Sequence, residues 1–99
     1  MKLIIAIVRP FTVEKIVNAF EDIEGFPGMT VINSEGFGQG MRASTTDAID
    51  PFKPTKRIEI SANDEMVPII IAAILKSAHT GKKGDGLITV VDVDTAFFI

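Results

Sequence analysis

Residues 3–8 of the chain, Leu-Ile-Ile-Ala-Ile-Val, are apolar at every position. Their β-branched side chains favour a strand, and Pro10 ends it. Successive side chains of a strand point to opposite faces of its sheet, so a sheet built on this strand has two apolar faces to cover. Residues 87–91 are apolar at most positions as well. The chain is therefore expected to form a sheet that is covered on both sides.

The remaining pattern predicts two helices and two further strands. A helical period begins after Thr12, the expected N-cap, and stops at Gly25, while a second follows Asp64, which is expected to cap it. The further strands are predicted over residues 29–33 and 57–62, and the apolar run at residues 87–91 belongs to a last strand over residues 87–93. The apolar helix faces comprise Val13, Ile16, Val17, Phe20 and Ile23 in the first helix, and Val67, Ile70, Ile71, Ile74, Leu75 and Ala78 in the second. The order predicts an α+β fold, a ferredoxin-like βαββαβ sandwich, as a single domain over residues 1–99.

Two helices can cover only one face of a four-stranded sheet. An exposed face rich in Ile and Val is rare in monomers, so the second face is expected to be buried by self-association. The alternative is that the irregular segment 38–56 covers it. That segment offers only a few apolar side chains, among them Met41, Ile49 and Phe52, which favours self-association.

Charge and composition exclude several classes of function. A net charge of −3 argues against general nucleic-acid binding. The absence of cysteine excludes disulfides and thiolate chemistry. The apolar run at the start is too short to span a membrane and lacks a small-residue cleavage site, so a cytoplasmic location is expected.

The segment Thr80-Gly81-Lys82-Lys83-Gly84-Asp85-Gly86 joins the second predicted helix to the last strand and holds three glycines and two lysines. Glycines let the backbone approach a ligand closely, and N–H groups with lysine charge suit phosphate oxygens. The order of a P-loop is absent, and the segment follows a helix rather than opening one. The alternative is a solvated connection between two elements.

Three blocks of sequence make the chain resemble the nitrogen-regulatory PII signal proteins. The first is Arg9-Pro10-Phe11 after the first strand, and the second is Gly28-Met29-Thr30-Val31 leading to Gly36-Phe37-Gly38. The third is Ala78-His79 followed by residues 80–86, which we call the glycine turn. The resemblance implies a homotrimer with inward-facing sheets and an adenine nucleotide in each cleft between neighbouring subunits. It implies a regulator without catalytic residues, metal or resident cofactor, for which the nucleotide is an effector. The nucleotide-binding residues that it implies are Thr30, Gly36, Phe37, Gly38, Thr80, Gly81, Lys82, Lys83, Gly84, Asp85 and Gly86.

The same resemblance makes residues 38–56 the flexible loop that contacts a regulated protein, with a membrane transporter as the expected partner class. Binding of the effector would order or move this loop. The candidate partner-binding residues are Met41, Arg42, Ser44, Asp47 and Asp50.

The chain also departs from the family pattern. The positions at which the resemblance leads us to expect Arg-Gln, two lysines and an arginine hold Gln39-Gly40, Thr55, Leu87 and Phe98. Gly40 removes the glutamine that coordinates magnesium and helps to bind 2-oxoglutarate in the family. Each lost cation removes a partner for phosphate or carboxylate oxygens. We therefore expect ADP or AMP to be preferred over ATP.

Two other readings stay open from the sequence. One is a small-anion or divalent-cation sensor of the same fold that binds no nucleotide. The other is an acylphosphatase-like enzyme, because Arg9 lies near the place where such enzymes cradle phosphate. Against it, Pro10 and Phe11 follow instead of a glycine-containing cradle, and no nucleophile–base pair is evident. The lone His79 is expected to interact with the end of the helix rather than with a metal.

Overall fold

The computed structural model describes residues 1–38 and 51–99. The elements in chain order are β1 (Lys2–Val8), a 3-10 turn (Pro10–Thr12), α1 (Val13–Glu21), β2 (Thr30–Gly36), β3 (Lys53–Ala62), α2 (Val67–Ala78) and β4 (Gly86–Asp92). The strands form one sheet in the order β2-β3-β1-β4, and each neighbouring pair is antiparallel. This arrangement confirms the predicted ferredoxin-like fold.

The core lies between the two helices and one face of the sheet. Alternate residues of β1 are buried in it, namely Ile4, Ala6 and Val8, and Ile4 pairs with Ile60 of β3 and Val90 of β4. The strand predicted over residues 57–62 is confirmed, and its alternate residues Ile58, Ile60 and Ala62 are buried. The helices contribute the buried side chains Ile16, Phe20, Ile70 and Ile74. Burial of each such side chain stabilises the fold by about 1.5–3 kcal/mol before the entropy of ordering is subtracted.

The third strand is longer than predicted. It starts at Lys53 instead of Arg57, because the chain already pairs with β2 from that point, Gly36 opposite Lys53. The predicted loop 38–56 therefore gives up residues 53–56 to the sheet. Prolines at 51 and 54 suggested irregular backbone, but Pro54 is tolerated here because it lies near the start of the strand.

Of the two predicted helix caps, Thr12 occupies the N-cap position of α1, as predicted, whereas Asp64 does not occupy that of α2. Thr12 directly precedes α1, but its hydroxyl donates to the carbonyl oxygen of Arg9 (2.8 Å) instead of capping the helix. Helix α2 begins after Met66, and the Asp64 carboxylate instead accepts a hydrogen bond from the N-terminal amine of Met1 at 3.0 Å. That amine lowers the pKa of Asp64, through the hydrogen bond first and its charge second. Leu75, predicted on the buried face of α2, is 57% exposed.

The other face of the sheet carries no helix in the described parts of the chain. This open face presents Leu3, Ile5 and Ile7 of β1 beside Leu87, Thr89 and Val91 of β4, with Ile32 on the far strand. Leu87 is 67% exposed and Val91 43% exposed. On the same face, an ion pair between Arg57 and Glu59 (2.7 Å) lies along the inner strand β3. The predicted second apolar face therefore exists, and it is accessible in the single chain.

Among the described residues, no helix has the length and apolar character required to cross a bilayer.

A basic cleft at one end of the sheet

All four strands begin or stop at the same end of the sheet, where the cleft lies. β1 and β2 end there, while β3 and β4 begin there, because neighbouring strands are antiparallel. The register places Val8 opposite Gly86, and Gly36 opposite Lys53. Between these ends lies an open cleft of about 1020 Å³. This volume is at the upper end of the range of small-molecule sites in proteins.

The cleft is basic although the whole chain has a net charge of −3. Its described walls include four cationic side chains, Arg9, Lys53, Lys82 and Lys83, and no aspartate or glutamate. Such a concentration of one sign of charge in a concave, partly apolar site attracts anions. The cleft is therefore suited to a phosphorylated or carboxylated small molecule.

Aromatic rings form part of the cleft wall. Phe11 and Phe37 line it and are 69% and 65% exposed, which is high for phenylalanine. The ring of Phe37 leans on that of Phe52, with 5.9 Å between centroids and an interplanar angle of 55°. A flat ligand group such as a nucleobase could stack on these ring faces, because base–aromatic stacking tolerates many bases.

Arg9, the residue that follows β1, donates hydrogen bonds to the glycine turn. Its Nη2 donates to the carbonyl oxygen of Lys83 at 2.7 Å, and its Nε donates to that of Gly84 at 3.0 Å. The same Nε lies 3.5 Å from the carboxylate of Asp85. A side chain from the opposite end of the sequence thus fixes the tip of the turn.

Asp85 ties the two ends of the turn together. One carboxylate oxygen accepts a hydrogen bond from the backbone N–H of Thr80 (2.7 Å), and the other accepts from the Thr80 hydroxyl. These two bonds, with a smaller effect from the charge of Arg9, hold the pKa of Asp85 below its ordinary value. His79 caps the end of α2, with Nδ1 3.8 Å from Asp85.

Gly86 is required by a close approach of two strands. Its φ is 137°, and a Cβ built there would lie 2.0 Å from the carbonyl oxygen of Ile7. No side chain fits at that separation, and L residues rarely adopt this φ. The turn therefore enters β4 through a position that only glycine can fill.

The predicted nucleotide-binding residues fall into three groups. Those that line the cleft are Gly36, Phe37, Gly38, Lys82, Lys83, Gly84 and Gly86. Thr80, Gly81 and Asp85 belong to the same turn but lie outside the cleft wall. Thr30 is distant, because it sits at the other end of β2, opposite Glu59 and about 20 Å along the strand from Gly36.

The five predicted partner-binding residues, Met41, Arg42, Ser44, Asp47 and Asp50, lie outside the described residues.

Sequence reasoning left three charged or aromatic cleft residues out of the site. Arg9 and Phe11 belong to the first block of the resemblance, but neither was assigned to the site. Lys53 was placed in the loop rather than in a strand. No local pattern places Lys53 in the cleft, because its position follows from the pairing of Lys53 with Gly36, which brings the start of β3 beside the end of β2.

The departures from the family pattern can also be located. Thr55 is buried, and its hydroxyl shares a 2.8 Å hydrogen bond with that of Ser34. Lys56, next to it in sequence, is hydrogen-bonded to Asn33 and does not line the cleft. Leu87 lines the cleft, so an apolar side chain stands where the resemblance expects a lysine. Phe98 lies in the C-terminal segment and is 96% exposed.

The fold and the cleft together define a small α+β protein with a basic cleft at the end of its sheet where β2 ends and β3 begins. Comparison with known sequences identifies the group to which it belongs. The family described as "Nitrogen regulatory protein P-II" matches residues 1–99. The chain therefore belongs to the PII family of nitrogen regulatory proteins.

Individual relatives agree with this assignment. The chain is 38% identical over 98 residues to "Nitrogen regulatory protein P-II" of Pasteurella multocida, covering 95% of this chain and 87% of the relative. It is 40% identical over 98 residues to "Nitrogen regulatory protein P-II 2" of Methanothermobacter thermautotrophicus, covering 95% and 84%. It is 35% identical over 103 residues to the Bradyrhizobium diazoefficiens protein, covering 100% and 91%.

These names confirm the resemblance that the sequence blocks indicated. They are names of regulatory proteins and not of enzymes, which confirms the expectation of a non-enzymatic regulator and argues against the acylphosphatase reading.

Proposed function

We propose that this PII-family protein binds an adenine nucleotide in the basic cleft and transmits its binding state to a partner protein through the connection between β2 and β3. The observation that carries the proposal is the meeting of Gly36-Phe37-Gly38 and the turn Lys82-Lys83-Gly84 in one cleft. The first segment lies at the end of the edge strand β2, and the second precedes the other edge strand, β4. Both segments were predicted from the sequence to bind the nucleotide.

The chemistry of the walls matches the parts of a nucleotide. Lys82 and Lys83, with the backbone N–H groups of a glycine-containing turn, suit phosphate oxygens. The exposed ring of Phe37 suits the base. Because the described cleft walls hold no carboxylate, bound phosphates meet no like charge there.

ADP or AMP binds at least as tightly as ATP in this proposal. Leu87 contributes an apolar wall at a cleft position where a cation would contact an outer phosphate. Each charge-assisted hydrogen bond contributes about 1.5–3 kcal/mol, so the loss of one is sufficient to cancel a preference for the longer phosphate chain. Gln39 and Gly40, which also bear on this preference, lie outside the described residues.

The site is completed by a second copy of the chain. Thr30 lies about 20 Å from the cleft of its own chain, so it reaches a nucleotide only across a subunit boundary. The accessible open face provides an apolar surface for such an assembly. A homotrimer with the open faces inward meets both requirements.

The cleft lies where the chain leaves β2 and re-enters β3, so a bound ligand contacts both ends of the intervening segment. Occupancy of the cleft can therefore change the segment that includes Met41, Arg42 and Asp47. The partner in this proposal is a regulated protein such as a membrane transporter, and the protein acts in the cytoplasm.

Isothermal titration calorimetry tests the nucleotide step. AMP, ADP and ATP are titrated with and without magnesium and 2-oxoglutarate into the wild-type protein and into Gly84→Val. We expect ADP or AMP to bind at least as tightly as magnesium-ATP, with no enhancement by 2-oxoglutarate. Gly84 has a φ of 86°, so valine there both strains the turn and obstructs the ligand, and binding should weaken. Much tighter binding of ATP, strengthened by 2-oxoglutarate, would refute the preference.

A sensor of small anions without nucleotide binding is the second candidate, and the cationic cleft walls favour an anion over a divalent cation. It replaces the first if no adenine nucleotide binds at millimolar concentration while inorganic phosphate or a dicarboxylate does.

A further inference from the structure

We propose that Arg9 is the positioning residue of the cleft: it holds the tip of the turn 81–86 in the conformation that binds phosphate, without being the main phosphate contact itself. The proposal rests on the proposed function and adds to it a role for a residue that is not among the predicted nucleotide-binding residues. Arg9 follows β1 directly, while the turn lies more than seventy residues later.

The contacts of Arg9 are made to carbonyl oxygens rather than to side chains alone. Its guanidinium donates to two successive peptide carbonyls, those of Lys83 and Gly84, at 2.7 and 3.0 Å. Only 29% of the side chain is exposed. Two donors in a fixed plane on two successive carbonyls constrain the orientation of both peptide groups.

That orientation determines where the amide hydrogens point. The peptides are trans, and in a trans peptide the N–H is directed opposite to the carbonyl. With the carbonyls of Lys83 and Gly84 directed at Arg9, the N–H groups of Gly84 and Asp85 are directed away from it. Gly84 lines the cleft, so a turn held in this way offers the N–H of Gly84 to an anion without reorganisation on binding.

We call the two hydrogen bonds from Arg9 to the carbonyls of Lys83 and Gly84 the clamp, and Asp85 supports it. Its carboxylate lies 3.5 Å from Arg9 Nε and binds the backbone N–H of Thr80, so it closes the base of the turn while Arg9 fixes its tip. The positive φ values of Gly81 (84°) and Gly84 (86°) show why the turn needs such support. Glycine backbones are the freest of all in the absence of tertiary contacts.

The clamp requires arginine in particular. A lysine at position 9 keeps the charge, but its ammonium is a single point on a flexible stem and cannot present a planar fork to two carbonyls. Arg9→Lys therefore separates the geometric role from the charge, and Arg9→Gln removes both. Lys15→Gln on the exposed surface of α1 is a matched control for the loss of one positive charge.

The experiment measures the turn and the ligand separately. Backbone ¹⁵N relaxation of the nucleotide-free protein reports the order of the amides of Lys83, Gly84 and Asp85, and calorimetry with ADP reports affinity. We expect both Arg9 variants to lower these order parameters below about 0.6 and to weaken ADP about tenfold. Lys15→Gln should leave both quantities at the wild-type value.

Two results would overturn the role of Arg9. If the turn keeps its order in both variants, Arg9 does not hold it. If only Arg9→Gln weakens ADP and Arg9→Lys binds normally, the guanidinium acts by charge alone. Failure of the wild-type protein to bind ADP is a different outcome, because it contradicts the proposed function while the order parameters still decide whether Arg9 holds the turn.

Discussion

The Asp85 carboxylate accepts hydrogen bonds from both the backbone N–H and the hydroxyl of Thr80. These bonds keep the pKa of Asp85 below its ordinary value of 3.8. A carboxyl with a lowered folded-state pKa stabilises the fold above its unfolded-state pKa. That contribution is lost as the pH falls through the folded-state value.

Because the pKa of Asp85 is lowered in the folded state, the stability difference between the wild type and Asp85→Asn should depend on pH. At pH 7 the variant should have a smaller free energy of unfolding than the wild type. The neutral side chain of asparagine has no carboxylate charge to strengthen the two hydrogen bonds from Thr80. The difference should shrink as the pH drops below 3.8 and the wild-type carboxyl is protonated. Urea unfolding at a series of pH values measures it. A difference independent of pH would show that the charge of Asp85 plays no part.

Gly86→Ala should be severely destabilising. The new Cβ would lie 2.0 Å from the carbonyl oxygen of Ile7, and the φ of 137° is unfavourable for alanine. Moving β4 away from β1 breaks their pairing, so we expect a loss of about 2–4 kcal/mol in urea unfolding. Gly38→Ala is the matched control, since no described residue lies within 4 Å of its added Cβ, and it should change stability by less than about 0.5 kcal/mol. Equal effects of the two variants would contradict the close approach.

The sequence predicts the fold well because its signals are local. The alternation at Ile58, Ile60 and Ala62 and the helical spacing of Ile16 and Phe20 are each set by burial on one face. The bond made by Asp64 and the start of β3 depend instead on partners distant in sequence. Asp64 was expected to bind its own helix, yet it binds the N-terminal amine, and no local pattern shows that amine to be near.

Some features of the cleft can likewise be predicted from local sequence, whereas others depend on contacts between distant residues. Glycine and lysine spacing indicates the turn, but the role of Arg9 depends on which strand end the turn folds over. Lys53 and Lys56 look alike in sequence, and only the register and packing show that Lys53 lines the cleft while Lys56 binds Asn33.

Self-association through the open face gives the next prediction. The wild-type protein should scatter light as about three chain masses in dilute buffer. Ile5→Glu places a charge in the centre of the open face and should reduce the assembly to single chains, because an unpaired charge is costly to bury. Ile69→Glu on the exposed surface of α2 is the matched control and should remain trimeric. A stable wild-type monomer would contradict the burial of the open face.

Lys53 and Lys56 offer a matched pair for the charge of the cleft. Lys53→Gln should weaken ADP binding about tenfold, because Lys53 lines the cleft beside Gly36. Lys56→Gln should leave ADP affinity within about twofold, since its side chain is directed to Asn33. Calorimetry at two salt concentrations checks the electrostatic origin, because screening should reduce the effect of Lys53→Gln. If both variants lose the same affinity, only the total charge of the protein matters.

Deletion of residues 41–50 tests the output of the protein. The ladder between β2 and β3 is complete from Gly36 opposite Lys53, so the six residues that remain between these strands suffice for a hairpin connection. We expect the deletion variant to keep the wild-type mass in light scattering and to stay folded, while it loses binding to the partner. Co-sedimentation with membranes of the source cells, for wild type and variant at equal concentration, measures that loss. A variant that unfolds would assign the segment to the core, and one that binds membranes like the wild type would place the partner contact elsewhere.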